Sequence, residues 1–262
     1  FSKKKIEKVM ENKKFKVITA LAVFYDLKDP NKFLKDISQI IDEIEGIFIL
    51  EFQDLLSIIK NNLFDTICHE HLAYYSSKII INMLKENDLK IFNISTNKIN
   101  GGSTRFYICH KKSKYNVKIN KIKNILKEEI KYKLENYNTY KLFFNKILEI
   151  KKKLNDLIYK FKKDRKIIHG YGASTKGNVL LQFFNIDNTI LDCIADRNPL
   201  KVGSYTPGTK ISIQSENYSR KKNPHFYLVL PWHFKQEILR REKIMRNKGT
   251  KFIFPLPDID IK

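Results

Sequence analysis

Two histidines with a carboxylate between them, His69-Glu70-His71, lie inside the stretch Phe64-Asp65-Thr66-Ile67-Cys68-His69-Glu70-His71-Leu72-Ala73-Tyr74-Tyr75-Ser76. Charged groups set so closely among apolar residues are expensive to bury without a purpose. Imidazole titrates near neutral pH and an adjacent carboxylate raises its basicity, so Glu70 and His71 could form a general base with an orienting acid. Tyr74 and Tyr75 could donate hydrogen bonds to a substrate oxygen. Two other readings stay open. The polar side chains could cap a helix N-terminus. Cys68, His69 and His71 are metal-ligand types, although their spacing is not the usual one of a zinc site.

A second group is Gly170-Tyr171-Gly172-Ala173-Ser174-Thr175-Lys176-Gly177, which follows an apolar run and opens a helical pattern. Backbone N–H groups and the positive helix end at such a turn favour a phosphate or carboxylate. Asp196 ends the next apolar segment, about where a ribose-binding acid sits in dinucleotide folds. The third glycine of that fingerprint is out of place, so a tight turn with close helix–sheet packing explains the pattern equally well. Ser174, Thr175 and Lys176 favour an anion. Asn100-Gly101-Gly102-Ser103 reads as a hairpin turn, after which Arg105 could pair with a core acid or face a substrate phosphate. Pro231-Trp232-His233 follows a strand and could line a cleft or place the single tryptophan in the core.

These groups need elements to hold them. Residues 2–13 read as a polar helix with Ile6, Val9 and Met10 on one face. Residues 15–24 form a short apolar, β-branched and aromatic run, a buried strand that ends at Tyr25-Asp26. Residues 30–44 follow as an amphipathic helix and 47–52 as a second strand, a β-α-β pattern that implies a parallel pair. A helix over 77–87 and two strands around the glycine turn, 89–94 and 104–109, complete the first half. Residues 113–164 carry apolar positions mostly at three- and four-residue spacing, one or two Lys-rich helices. Beyond them strand and helix alternate again: strands near 166–168, 190–196, 210–213, 225–230 and 251–254, with helices after Gly172 and over 234–247. That is a second doubly wound α/β unit.

The chain has 262 residues, of which 42% are hydrophobic and 12% aromatic, enough to bury a sizeable core. The formal net charge of +22 would suit a nucleic-acid partner. Lysine, isoleucine and asparagine are over-used everywhere, however, so a coding bias accounts for the charge and no nucleic-acid partner is expected. Cys68, Cys109 and Cys193 have no paired spacing, which fits a reducing, cytoplasmic setting and offers no zinc framework. No apolar run reaches the roughly 18–20 residues of a membrane span, and no signal peptide opens the chain. The chain starts Phe1-Ser2-Lys3, without methionine, so an upstream part is expected.

Taken together, several motifs resemble one family. They are the stretch Phe64–Ser76, then Asn100–Ser103 with Arg105, then Gly170–Asn178, then Asp196-Arg197-Asn198-Pro199 with Lys201, Gly203 and Pro207-Gly208-Thr209, and last Leu230-Pro231-Trp232. In order and approximate spacing they are similar to the C-methyltransferases that modify nucleotide-linked deoxysugars. The resemblance implies an α/β fold: two Rossmann-like doubly wound units joined by a long helical segment. Residues 1–112 would be part of a class I methyltransferase domain with a substrate-site insert, 113–164 the helical linker and 165–262 a C-terminal Rossmann-like domain. It implies S-adenosylmethionine as cofactor, with part of its site upstream of residue 1, because the family's glycine-rich cofactor motif and its N-terminal zinc module are absent here.

By the same resemblance, a base takes a proton beside a sugar keto group, and the resulting enolate attacks the cofactor methyl. Glu70 and His71 fall on the family's Glu-His pair, with His71 the better base, and Tyr25 is a third catalytic candidate. Substrate-binding candidates are Tyr74, Arg105, Gly172, Ser174, Lys176, Asp196 and Trp232; no metal ligand is expected in this part. The chain departs from the family at Cys68, where members acting on sugars often have tyrosine, and at Tyr25-Asp26, where they often have histidine. A non-catalytic fragment or partner protein and an NAD-binding oxidoreductase are the competing readings.

Overall fold

The computed structural model describes Ile6 and residues 13–262, so the helix expected over 2–13 falls outside the described residues apart from Ile6 and Lys13. The chain divides into two compact units. One comprises the chain up to Asn61 together with His69–Tyr140, the other Asn62–Cys68 with Lys141–Lys262.

In the first unit β1 (Val17–Leu21) pairs in parallel with β2 (Ile47–Phe52), as the β-α-β pattern requires. Between them runs α1 (Pro30–Ile40). Asp29 caps it by accepting from Lys32 N at 2.8 Å, and Pro30 occupies the first turn, where its missing N–H costs nothing. The helix ends earlier than its apolar spacing suggests. Asp42 Oδ1 accepts from Ile44 N and Glu45 N at 3.0 and 2.8 Å, which bends residues 42–45 into a turn instead.

After β2 come α2 (Leu55–Lys60), which the sequence reading did not isolate, and α3 (Ser77–Glu86). The hairpin of β3 (Leu89–Asn97) and β4 (Ser103–His110) is antiparallel, as expected. β4 inserts beside β2, so the sheet order is β1-β2-β4-β3 and the sheet is mixed. The core of this unit centres on Phe24, Phe48, Phe52 and Phe106, with Leu34, Ile37 and Ile80 around them. α4 (Ile119–Lys131) lies on β3, and its Glu129 carboxylate accepts from Ser77 N at 2.5 Å and Lys78 N at 3.2 Å, capping α3 from outside.

α5 (Tyr137–Lys163) carries the chain into the second unit. Its buried residues Ile147, Ile150, Leu154 and Ile158 repeat at three- and four-residue spacing, and Phe161 stacks on Phe226 at 3.9 Å between ring centroids. The segment 113–164 is thus two helices, each packed on neighbouring elements.

The second unit holds β5 (Ile168–Tyr171), α6 (Thr175–Phe184), β6 (Ile194–Asp196) and β7 (Ile213–Ser215). α7 (Glu216–Lys221) and β8 (Phe226–Val229) follow, then α8 (Lys235–Arg241), α9 (Lys243–Asn247), β9 (Lys251–Phe254) and β10 (Asp260–Ile261). The sheet order is β10-β9-β8-β5-β6-β7, parallel except for β10. Strand order reverses between β5 and β8, the crevice where doubly wound sheets bind ligands. Three expectations needed adjustment: the strand over 210–213 lies instead at Ile213–Ser215, because Ile211 N donates to Thr206 Oγ1 in a turn, and two more changed as follows. The strand over 190–196 contracts to three residues, because 187–191 form a turn on Asp187. The helix over 234–247 breaks at Glu242, whose side chain is drawn to Tyr171 and Arg220. β10 and α7 were too short to show a period.

Phe52 is 1% exposed and its ring meets Phe24, Tyr75 and Phe106 at 5.6–6.0 Å. Phe52→Ala is expected to destabilise the protein by about 3–5 kcal/mol, read as a lowered urea midpoint with the denaturant slope unchanged.

Candidate active site

The parallel pair β1/β2 points its carboxyl ends to one edge of the first unit's sheet, and the candidate catalytic groups collect there. β1 runs into a 3-10 turn, Phe24–Asp26, whose Phe24 and Tyr25 are buried in the core. The carbonyl of Tyr25 accepts from both Leu72 N (2.8 Å) and Ala73 N (3.3 Å). That tie fixes the His-Glu-His stretch against the turn although the two are more than forty residues apart in sequence. The rings of Tyr25 and His71 meet at 4.0 Å between centroids, and Tyr74 approaches His71 at 6.4 Å. Glu70 and Asp26 are exposed beside them. Partial desolvation raises the Asp26 carboxyl from its ordinary value. The His71 charge works against that rise and Glu70 adds to it. Asp26, His71 and Glu70 therefore feel one another electrostatically.

The helix-capping reading of the stretch does not hold for the histidines. Residues 71–76 are irregular, and it is Ser76 that caps α3. Among the described residues no group of three His, Cys, Asp or Glu side chains is arranged to hold a metal ion. The glycine turn sits at the carboxyl end of β2. Gln53 Nε2 donates to Asn100 O at 2.6 Å, Asn61 Nδ2 to Gly101 O at 3.2 Å, and Thr104 Oγ1 to Asp54 Oδ2 at 2.6 Å. Arg105, opposite Glu51 in the β2/β4 register, is ion-paired with that buried carboxylate. The core-acid partner foreseen for Arg105 is thus present.

In the second unit the glycine turn leads from β5 into α6. Gly172 has φ +80°, and a Cβ there would come within 2.6 Å of the Pro231 ring, so the position needs glycine twice over. Ser174 caps α6 by accepting from Gly177 N at 3.0 Å. Gly177 lets the helix close on Leu230, whose Cβ would be 2.7 Å from an added methyl. Asp196 Oδ2 accepts from Ala173 N at 2.7 Å and Oδ1 from Asn198 N at 2.8 Å, so this acid organises both loops at the crevice.

A cavity of about 380 Å³ opens there, and Gly172, Ser174 and Asp196 line it with Arg197, Lys201 and Arg241. Lys176 and Trp232 are not among its lining groups. Tyr171 and Glu216 also line the cavity: the Tyr171 hydroxyl shares its proton between Glu216 and Glu242 at 2.9 and 2.8 Å and accepts from Arg241 at 2.6 Å. Arg220 joins both carboxylates. The sequence reading missed this four-charge network. Its signal was the tyrosine between two glycines and the Arg240-Arg241-Glu242 run.

Lys176 and Trp232 instead surround Asp65, which is fully buried. Trp232 Nε1 donates to Asp65 Oδ2 at 2.8 Å, and Oδ1 has no hydrogen-bond partner. Burial raises the Asp65 carboxyl above its usual range against the pull of Lys176. Burial lowers Lys176 against the pull of Asp65 and Cys68. Next to Trp232, His233 keeps an unpartnered, buried Nδ1.

The second unit is a Rossmann-like α/β unit, and the first is an α/β unit with a histidine–tyrosine–carboxylate cluster at its sheet edge. The chain belongs to the C-methyltransferase family: residues 98–257 match its C-terminal domain. It is 28% identical over 235 residues to C-methyltransferase NovU of Streptomyces niveus, a match that covers 90% of this chain and 56% of that protein. The chain therefore spans little more than half the length of that relative. No helix of the described residues is long and apolar enough to cross a membrane.

Burial first and the Lys176 charge second push His233 down to about 4, against about 6.5 in an unfolded chain. The unfolded chain takes up that proton at higher pH than the folded one. Stability from this residue is complete above about pH 6.5 and is lost as pH falls toward about 4. Urea midpoints at pH 7 and pH 5 should differ less in His233→Gln than in the parent; an equal difference would remove His233 as the cause.

Proposed function

We propose that the chain is part of an S-adenosylmethionine-dependent C-methyltransferase acting on a nucleotide-linked keto-deoxysugar. The observation that carries this reading is the contact of Tyr25 with His71 at the carboxyl edge of β1/β2, in a chain of this family. His71 is the base: its imidazole takes the proton from the carbon beside the keto group. The electron pair of that C–H bond moves into the C–C bond as the carbonyl oxygen becomes an enolate. Tyr25 and Tyr74 flank the imidazole and are the hydroxyl donors for that oxygen. Glu70 stabilises the imidazolium that forms. Asp26 lies within electrostatic reach of both His71 and Glu70.

Taken by itself, the cavity of the second unit suits a nucleotide. Arg197, exposed and without an ion-pair partner among the described residues, and the α6 N-terminus at Ser174 are the groups for its phosphates. Lys176 acts behind them, as partner of Asp65, while Trp232 anchors the same acid. Arg105 supports the first unit through Glu51.

The cofactor is tested by the glycines. In the first unit they are Gly46, Gly101 and Gly102, and none follows a strand to open a helix. These residues do not by themselves fit a nucleotide cradle for S-adenosylmethionine. In this reading its site draws on the part of the family that lies outside the match. The three free cysteines support a reducing, cytoplasmic setting.

In the full-length protein, His71→Ala is expected to lower kcat by about 10²–10⁴-fold while leaving the sugar-nucleotide Kd and the urea midpoint unchanged. Undiminished turnover would overturn the base assignment. No turnover and no S-adenosylmethionine binding in the parent would favour a non-catalytic partner protein.

A further inference from the structure

α8 presents two faces to two different concavities. Glu237, Ile238 and Arg241, with Phe234 just before the helix, line the crevice already described. Gln236, Leu239 and Arg240, at the complementary helical spacing, look the other way, into a second groove of about 670 Å³. Neighbouring arginines thus have opposite fates. Arg241 is spent on Tyr171 and Glu216, whereas Arg240 has no hydrogen-bond or ion-pair partner among the described residues. Lys243 and Lys251, from α9 and β9, reach the same groove and also lack ion-pair partners, and Arg246 makes only a long contact of 3.4 Å to Leu239 O. Lys262 lines it too and is paired with Asp260.

None of the lining residues is acidic. Like charges gathered in a concavity repel, and ordinary packing gives no reason to gather them. Chain-wide lysine excess does not explain the arrangement. Only seven of the 50 basic residues are arginine, and two of those seven line this groove. Elsewhere lysine-rich concavities are neutralised. The groove of the first unit that holds Lys111 and Lys112 also holds Glu43 and Asp88, and the four form ion pairs.

We propose that this groove binds a small multivalent phosphate, either free pyrophosphate or the diphosphate of a nucleotide. Arg240 and Arg246 offer planar forks suited to phosphate oxygens, and Lys243 and Lys251 add mobile point charges. Leu239 and the aliphatic stems of these residues add apolar lining, and Gln236 and Asn247 add amides. The volume is that of a small-ligand site. The site shares no lining residue with the crevice between β5 and β8, and the proposal is independent of the catalytic reading.

The test is calorimetric titration of the full-length protein with pyrophosphate and, separately, with a nucleoside diphosphate, at low and high salt. Saturable binding is expected that weakens steeply with salt. It should weaken by about tenfold or more in Arg240→Glu/Lys243→Glu. The milder Arg240→Gln/Lys243→Gln should weaken it less, and both variants should keep the parent urea midpoint. Lys152→Glu/Lys153→Glu, the same charge change on exposed residues of α5, should bind like the parent. If the groove variant loses only one of the two probes, that probe identifies the natural source of the phosphate. Absence of saturable binding in the parent, or equal loss in the groove and α5 variants, would overturn the proposal.

Discussion

One carbonyl oxygen ties two distant segments of the first unit together. The Tyr25 carbonyl, just past the end of β1, accepts from two successive N–H groups, Leu72 and Ala73. A loop without helix or strand is thereby pinned at the position where it passes the sheet edge. The same turn buries Phe24 against Phe52 and Tyr75, so the tether is anchored in the core. The Tyr25 ring meets both His71, at 4.0 Å between centroids, and Phe52, at 6.5 Å. The tie brings the segment that carries His71 beside Tyr25 and within electrostatic reach of Asp26.

The second unit shows a different economy of charge. Its crevice is built from ionic groups that mostly satisfy one another: Asp196 holds two loop N–H groups, and Tyr171, Glu216, Arg220, Arg241 and Glu242 close a partly buried network. Such networks cost desolvation and return rigidity more than stability. What remains uncommitted, Arg197 on one side of α8 and Arg240 on the other, stands out against that background. Asp65 follows the same rule in reverse. Its burial with one partnered and one unpartnered oxygen is an expensive arrangement, held by Trp232 and the nearby Lys176.

Much of the fold was legible because the periods were long enough to read. The β-α-β start, the β3/β4 hairpin around Gly101-Gly102 and the strand-turn-helix at Gly170–Gly177 all carry repeated apolar spacing beside a turn signal. Short elements failed for lack of period: α2, α7 and β10. α1 and the 234–247 helix were cut by single side chains, Asp42 and Glu242, whose bonds to distant or backbone partners leave no trace in spacing. At the site, Glu70, His71 and Tyr25 could be named, but their meeting could not, since it depends on a carbonyl rather than a side chain. Lys176 and Trp232 were visible as polar groups near a turn, and only the fold reveals that they turn toward Asp65 instead of the cavity. The membership of the chain in the C-methyltransferase family rests on the match over residues 98–257 and agrees with that partial reading.

If Tyr25-supported His71 is the base, proton removal must proceed without methyl transfer. The most direct measurement is deuterium incorporation from D₂O into a nucleotide-linked keto-deoxysugar by the full-length protein, with the demethylated cofactor in place of the methyl donor. The account predicts exchange at the carbon beside the keto group in the parent, slower exchange in Tyr25→Phe and none above background in His71→Asn. Exchange in His71→Asn at the parent rate would contradict it.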